Sequence, residues 1–320
     1  MKIVQKKISP NNIYSSFEMG TLKLDERLVF DIFIKKESDY VIIIEAGTLL
    51  SQNLYKKLQK QEQLYIKKMD IKKSELTCET LKYYIKHNKH AYKTTINFLY
   101  QINAKIFTDY LGSKENKIDL ACVETLIKSI IFLIKENKQY LKKSIEYFSN
   151  IYELEIHSLH VSIYAINLGS YLNLNDERLL QLGIAGLLHD VGIKKIDDAI
   201  FTKETSLCKD ETNQVQLHPK YSRDIAIENS ISNPETLLAI LQHHENYDGS
   251  GYPKGLKEDE ISNLASIISI SEVFDALTSK RPYREKYSSF EALNIMLKEE
   301  SMVNKFNKKF LQKFLYYFTS

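Results

Sequence analysis

The sequence predicts a mainly α-helical protein in three parts: a small α+β module over residues 1–72, a helical connector over 73–147 and a helical bundle over 148–320. Three observations carry this. From about Glu75 onward apolar residues recur at three- and four-residue spacing, as in "TLIKSIIFLIKENKQYLKKSIEYF", the period of helices with a buried face. Two short β-branched runs stand near the N-terminus instead. Four of the five prolines, Pro219, Pro234, Pro253 and Pro282, fall in the last third, where the helical pattern shows clear stops and starts.

Taken in order, residues 28–35 ("LVFDIFIK") and 40–45 ("YVIIIE") read as two strands, followed by a helical "SQNLYKKLQKQEQ" and a candidate strand at "LYIKK". The connector reads as helices broken near "LGSKEN". In the bundle, Asn175 or Asp176 caps "ERLLQLGIAGLLHD", and Asn233 caps "ETLLAILQHH" with Pro234 at the first helical position. No internal repeat is visible.

At 320 residues, with 43% hydrophobic and 27% charged content, the chain has enough apolar material for one large core or two to three smaller ones. Lys and Arg (44) nearly balance Asp and Glu (41), and a formal charge of +3 argues against a surface built to coat duplex nucleic acid. A local basic pocket stays compatible with it. The opening "MKIVQKKISP" has no apolar signal-peptide core, and "YVIIIEAGTLL" and "SIIFLI" are too short or too interrupted to span a bilayer. The expectation is a soluble cytoplasmic protein without membrane contact. Cys78, Cys122 and Cys208 form no CxxC pair and read as ordinary buried thiols in a reducing compartment.

The densest stretch is "HHENYDGSGYP", His243 to Pro253, which joins two histidines and acidic residues to a glycine-rich loop. Gly249 and Gly251 permit a tight turn, and Tyr252 and Pro253 stiffen its exit, so the loop can wall a pocket. His157, His189, His218, His243 and His244 all lie in the helical half, and Asp190 follows His189 directly. Adjacent imidazoles at a helix end are poorly placed unless something organises them. A metal does so, and imidazole with carboxylate and no thiolate suits iron, manganese or zinc. His87, His90 and His160 keep the reading of ordinary core or surface residues.

"HSLHV" at 157, "LLHDVG" at 187, "HPKYS" at 218, "HHENYDGSGYP" at 243 and "EVFDALTSKRPYR" at 272 together resemble the HD-GYP family of cyclic-dinucleotide phosphodiesterases, over about residues 148–320. The resemblance implies a helical HD-type bundle whose metal centre hydrolyses cyclic di-GMP to pGpG, GMP or both. It implies metal contacts from His157, His189, Asp190, His218, His243 and His244, with Asp190 between two ions and His189 and Asp190 central to catalysis. Glu272 stands where the family usually has an aspartate, one methylene shorter. Glu153 precedes His157 by four residues, a spacing that on a helix puts both on one face, and in some members a glutamate there binds a third metal. Two or three divalent ions, iron or manganese, are therefore expected. Substrate contacts fall to Gly251, Tyr252, Pro253, Arg281 and Arg284, and to Lys194 because Ile193 replaces the family's usual lysine. Two other readings stand beside hydrolysis of cyclic di-GMP: a degenerate member serving as a receptor or interaction module, and a phosphohydrolase acting on another nucleotide. Homodimerisation is left open.

Overall fold

A computed structural model describes residues 14–67 apart from 18, 20–21, 23, 25–27, 29 and 38, then residues 78 and 81, and residues 92–319 apart from 113–116, 137, 151–152, 202, 204–205 and 282–283. His87, His90, Pro282, Tyr283 and most of the expected helical segment between 75 and 91 lie outside the described residues. The chain divides into two compact units, residues 1–102 and 103–320.

The first unit holds an antiparallel sheet of β1 (Tyr14–Phe17), β2 (Ile32–Lys36), β3 (Asp39–Ile44) and β4 (Leu64–Lys67), in the order β1-β4-β2-β3. Helix α1 (Gln52–Leu58) lies between β3 and β4 in sequence and is capped by Ser51, whose hydroxyl accepts from the Leu54 amide. Ile32, Ile44, Leu64 and Ile66 from the strands and Leu58 from α1 close one core with Leu28, Phe30 and Leu50. The first expected strand begins at Ile32 and not at Leu28, because Leu28 and Phe30 turn into that core ahead of the ladder. The expected helix stops at Leu58, beyond which "QKQEQ" offers no apolar residue to bury. Strand β1 was not expected, since "YSSF" is too short to show alternation.

The second unit is helical: α2 (Tyr92–Gly112, which contains the unit boundary), α3 (Leu120–Glu136), α4 (Lys138–Phe148), α5 (Leu154–Tyr171), α6 (Asp176–Leu188), a 3-10 turn over Val191–Lys195, α7 (Asp198–Phe201), α8 (Lys209–Val215), α9 (His218–Glu228), α10 (Pro234–Gln242), α11 (Asn263–Thr278), α12 (Ser289–Lys298) and α13 (Lys308–Thr319). Helix α5 is apolar on all sides and buried along most of its length, which makes it the axis of the bundle. It packs against α6, α11 and α13, and α10 lies across α6 and α11. Asn175 and Asn233 accept from the amides of Arg178 and Thr236, so both expected N-caps form, the first on Asn175. The expectation of ordinary buried thiols is corrected at all three cysteines: Cys122 is buried, but neither it nor Cys78 is a free thiol, because both are disulfide-bonded, and the free Cys208 is exposed at the start of α8. Among the described residues no helix is long and apolar enough to cross a membrane.

Candidate metal centre

Helix ends deliver most of the cluster. His157 lies in the first turn of α5, His189 ends α6 with Asp190 next, His218 opens α9, and His243 ends α10 with His244 next. Glu272 and Asp275 come from one face of α11, three residues apart. His157, His189, Asp190, His218 and His243 are all buried.

The imidazoles are fixed by their Nδ1 atoms. His189 Nδ1 lies 2.8 Å from the Gly186 carbonyl, His218 Nδ1 2.7 Å from that of Val215 and His243 Nδ1 2.7 Å from that of Ile240. A carbonyl only accepts, so each Nδ1 donates its proton and each Nε2 presents a lone pair. His157 does the same against a carboxylate, with Nδ1 2.7 Å from Asp275 Oδ2.

These lone pairs converge on Asp190. Its Oδ1 faces His218 Nε2 at 3.1 Å and His243 Nε2 at 3.6 Å, while Oδ2 faces His189 Nε2 at 3.5 Å and His157 Nε2 at 3.8 Å. Two groups result, each with ligand atoms within 4.8 Å of one another: Asp190, His218, His243 and His244 on one side, and His157, His189 and Asp190 on the other. Glu272 stands with His189 and His243, and its Oε1 lies 3.5 Å from His244 Nε2.

The donor set fits divalent cations by its own geometry. His189 Nε2 is buried with no hydrogen-bond partner. His218 Nε2 and His243 Nε2 lie 3.1 Å apart although each ring already carries its proton on Nδ1, so two lone pairs face each other. Only a cation or an extra proton makes that contact favourable. Electrostatics prepare the same state: burial pushes His189 down to about 3, lowers His243, and together with the neighbouring His243 and His218 lowers His244 well below the usual imidazole range. His218 goes the other way: burial lowers it, but the charge of Asp190 and the hydrogen bonds to Asp190 and the Val215 carbonyl together raise it. Burial also works against Asp190, yet His189 and His218 hold it well below the usual carboxylate range. Glu272 is raised well above that range by burial, then by Asp190.

The glycine-rich loop is braced against this cluster. Glu245 is buried, and its carboxylate accepts from the amides of Lys254 at 2.7 Å and Leu256 at 2.9 Å. The Tyr252 amide donates to the His244 carbonyl, and the tyrosine ring stacks on His244 with centroids 4.6 Å apart. A Cβ at Gly251 would come within 2.3 Å of the Asn246 nitrogen and 2.4 Å of the His244 oxygen, so only glycine fits there. Pro253 follows a cis peptide bond and is exposed.

Other expected residues are placed differently. Glu153 is the N-cap of α5, with extended backbone, and it is exposed. The helix begins one residue later, at Leu154; the Glu153 carbonyl accepts from the His157 amide at 3.0 Å, and among the described residues Glu153 joins none of the ligand groups. Arg284 caps α11: its guanidinium donates to the carbonyls of Ala276 at 2.7 Å and Leu277 at 3.2 Å and lies over the Tyr287 ring. Carbonyls at a helix end attract a guanidinium fork, and these two hold Arg284 at the end of α11. Arg281 is half-buried and near enough to Glu272 to lower its pKa. Lys194 is exposed on the 3-10 turn, beside the half-buried Ile193.

Three residues were missed from sequence: Asp275, His160 and Glu245. The spacing of His157 to His160 and of Glu272 to Asp275, three residues each on a helix, was the available signal for the first two. Glu245 carried none.

Comparison with known proteins agrees with this architecture. The HD domain family model matches residues 123–305, more than half of the chain, and the protein belongs to that family. Within it, the five motif segments and the sequence relatives make it an HD-GYP protein. It is 36% identical over 141 residues to the cyclic di-GMP phosphodiesterase PA4108 of Pseudomonas aeruginosa, covering 44% of this chain and 34% of that one. It is 38% identical over 142 residues to the 3′3′-cGAMP-specific phosphodiesterase 3 of Vibrio cholerae, covering 44% of this chain and 30% of that one. The matched stretch thus spans about a third of these relatives. Its fold is also that of Bd1817, an HDG"Y"P protein from Bdellovibrio bacteriovorus, with a TM-score of 0.61 and 18% identity over 96% of this chain and 100% of that one.

Proposed function

We propose that the second unit is a metal-dependent phosphodiesterase that hydrolyses cyclic di-GMP. The observation that carries the reading is the pair of ligand groups sharing Asp190, one on each carboxylate oxygen, with buried Nε2 lone pairs facing each other at 3.1 Å. His157, His189 and Asp190 would hold one divalent ion, and Asp190, His218, His243 and His244 the other, with Glu272 beside His244. Divalent cations supply Lewis acidity toward phosphoryl oxygens and bring the ionisation of water into the neutral range. We assign them as iron or manganese, two per chain, because Glu153 stands apart from both groups.

The protein's own side chains do the remaining work. The fixed Nδ1 protons keep the imidazoles of His157, His189, His218 and His243 in one tautomer, so these four need no rearrangement to receive a phosphodiester. The stacked Tyr252 and the glycine-rich loop wall one side of it, and burial, with Glu272 and Asp190, raises the tyrosine pKa and leaves its hydroxyl a donor. Arg281, whose charge acts on Glu272, would take a phosphate or a guanine edge, and the exposed Lys194, one residue after Ile193, would take the part of the missing family lysine. In the reaction, a water oxygen bonds to phosphorus as the P–O3′ bond breaks, and the 3′ oxygen leaves with a proton. Ring opening gives pGpG, and a second turnover on its remaining phosphodiester gives two GMP. The N-terminal module, residues 1–72, serves as a regulatory or positioning unit.

The test is turnover by protein loaded with manganese or anaerobically with ferrous iron, on a panel of cyclic di-GMP, 3′3′-cGAMP and unrelated nucleotides. Cyclic di-GMP should be hydrolysed, and His189→Ala and Asp190→Ala should each abolish turnover. Either variant at wild-type rate would overturn the assignment. Turnover of 3′3′-cGAMP alone would move the specificity to the second kind of relative.

A further inference from the structure

We infer that Asp275 is the positioning residue for His157, and that His160 and Ser279 hold Asp275 in place. This rests on the metal-centre part of the proposal above, not on its substrate. Asp275 is buried on α11 and divides its carboxylate between two histidines of α5: Oδ2 lies 2.7 Å from His157 Nδ1, and Oδ1 lies 3.0 Å from His160 Nδ1. The Ser279 hydroxyl, on the residue that caps the C-terminus of α11, donates to Oδ1 at 3.2 Å. His160 and His157 themselves hold Asp275 below the usual carboxylate range against its burial.

This pattern differs from that of the other ligands. His189, His218 and His243 anchor Nδ1 on backbone carbonyls, which a side-chain change cannot remove. His157 sits in the first turn of its helix, and its Nδ1 is taken by Asp275 instead. A single carboxylate therefore decides whether its Nε2 faces Asp190 as a lone pair or as an N–H. His160, fully buried and away from the ligand groups, occupies the second oxygen and leaves Asp275 one orientation. The carboxylate needs both acceptors: an amide in its place offers one oxygen, and its NH2 group would face the Nδ1–H of one of the two rings.

The decisive variant is Asp275→Asn in the full chain, with Asp275→Glu as the conservative rescue. Two readouts separate positioning from simple structural support. The first is the tautomer of His157, read from ring 15N shifts in the metal-free protein. The second is Mn²⁺ binding, read from free Mn²⁺ by electron paramagnetic resonance. Asp275→Asn should move the His157 proton toward Nε2 and weaken Mn²⁺ binding about 10- to 100-fold, and Asp275→Glu should recover both in large part. A folded Asp275→Asn protein with the wild-type tautomer and Mn²⁺ affinity within about threefold of wild type would overturn the inference. If Asp275→Asn does not fold, Ser279→Ala decides: it removes only the third bond to the carboxylate and should weaken Mn²⁺ binding less but in the same direction, and no change would count against the role. A wild-type chain that binds no Mn²⁺ would sink the metal centre, yet the tautomer readout would still settle the part played by Asp275.

Discussion

Gly192→Ala is the sharpest perturbation this fold offers, because one methyl group placed there should pull a ligand out of position. Gly192 follows Asp190 by two residues and packs against the start of α9. A Cβ at this position would lie 2.4 Å from the Ser222 nitrogen and 2.5 Å from the His218 oxygen, both backbone atoms that cannot swing aside. Ordinary contact begins near 3.4 Å, so α9 must retreat by about 1 Å. That displacement breaks the bond from the Gly192 amide to Ser222 Oγ, now 2.8 Å, and draws His218 from its 3.1 Å contact with Asp190. Overpacking costs about 1–3 kcal/mol and the lost hydrogen bond about 1 kcal/mol more. For a unit of this size the melting temperature should fall by roughly 5–15 °C. Thermal unfolding of the metal-free protein measures the first effect. Metal content after dialysis measures the second, and it should drop even at temperatures where the variant is fully folded. A variant that melts within about 1 °C of wild type and keeps its full metal content would refute the packing argument.

Three further outcomes are expected. Glu245→Gln exchanges one of two acceptors for a donor facing a backbone amide, so it should cost about 1–3 kcal/mol and raise KM more than it lowers kcat, with unchanged kinetics counting against the brace. Arg284→Ala should remove about 1–2 kcal/mol of stability through the lost cap on α11 while leaving substrate affinity near wild type; Arg281→Ala should do the reverse, and exchanged phenotypes would restore Arg284 to the ligand. In the metal-free protein the folded state keeps His189 neutral down to about 3 while the unfolded chain protonates near 6.5, so its contribution is complete above pH 6.5 and is lost as pH falls toward 3. His189→Asn removes that titration, so between pH 7.5 and pH 5 the urea-measured stability gap should shift by roughly 2 kcal/mol in the variant's favour, and a constant gap would contradict the burial of His189.

The candidate ligands were legible in the sequence because metal chemistry restricts residue type: five of the six histidines of the helical half, with Asp190, form the candidate set, and the structure brings these six side chains together. The N-caps at Asn175 and Asn233 were legible because capping acts within three residues. What escaped depends on where elements begin and on contacts far apart in sequence. Glu153 reads as a residue inside the helix of His157, whereas the helix starts at Leu154 and leaves Glu153 as its N-cap with extended backbone. Arg284 has the composition of a phosphate ligand, and only the position of the α11 carbonyls reveals a cap. Asp275 meets His157 across 118 residues, and no local pattern reports such a bond.

One physical rule connects the site to the fold. A helix ends with carbonyls that have no amide partner, and each must be satisfied by something. Gly186, Val215 and Ile240 lie in the last turns of α6, α8 and α10, and each of their carbonyls accepts Nδ1–H from a histidine three residues further on. The histidine satisfies the helix end, and the helix end fixes the histidine's tautomer and aim. Three helix termini gathered around Asp190 therefore produce three oriented Nε2 lone pairs without a dedicated supporting residue. The fourth, on His157, comes from the start of a helix, where amides and not carbonyls are unpaired, and there a carboxylate has to stand in. That difference explains why His157, unlike His189, His218 and His243, calls on Asp275.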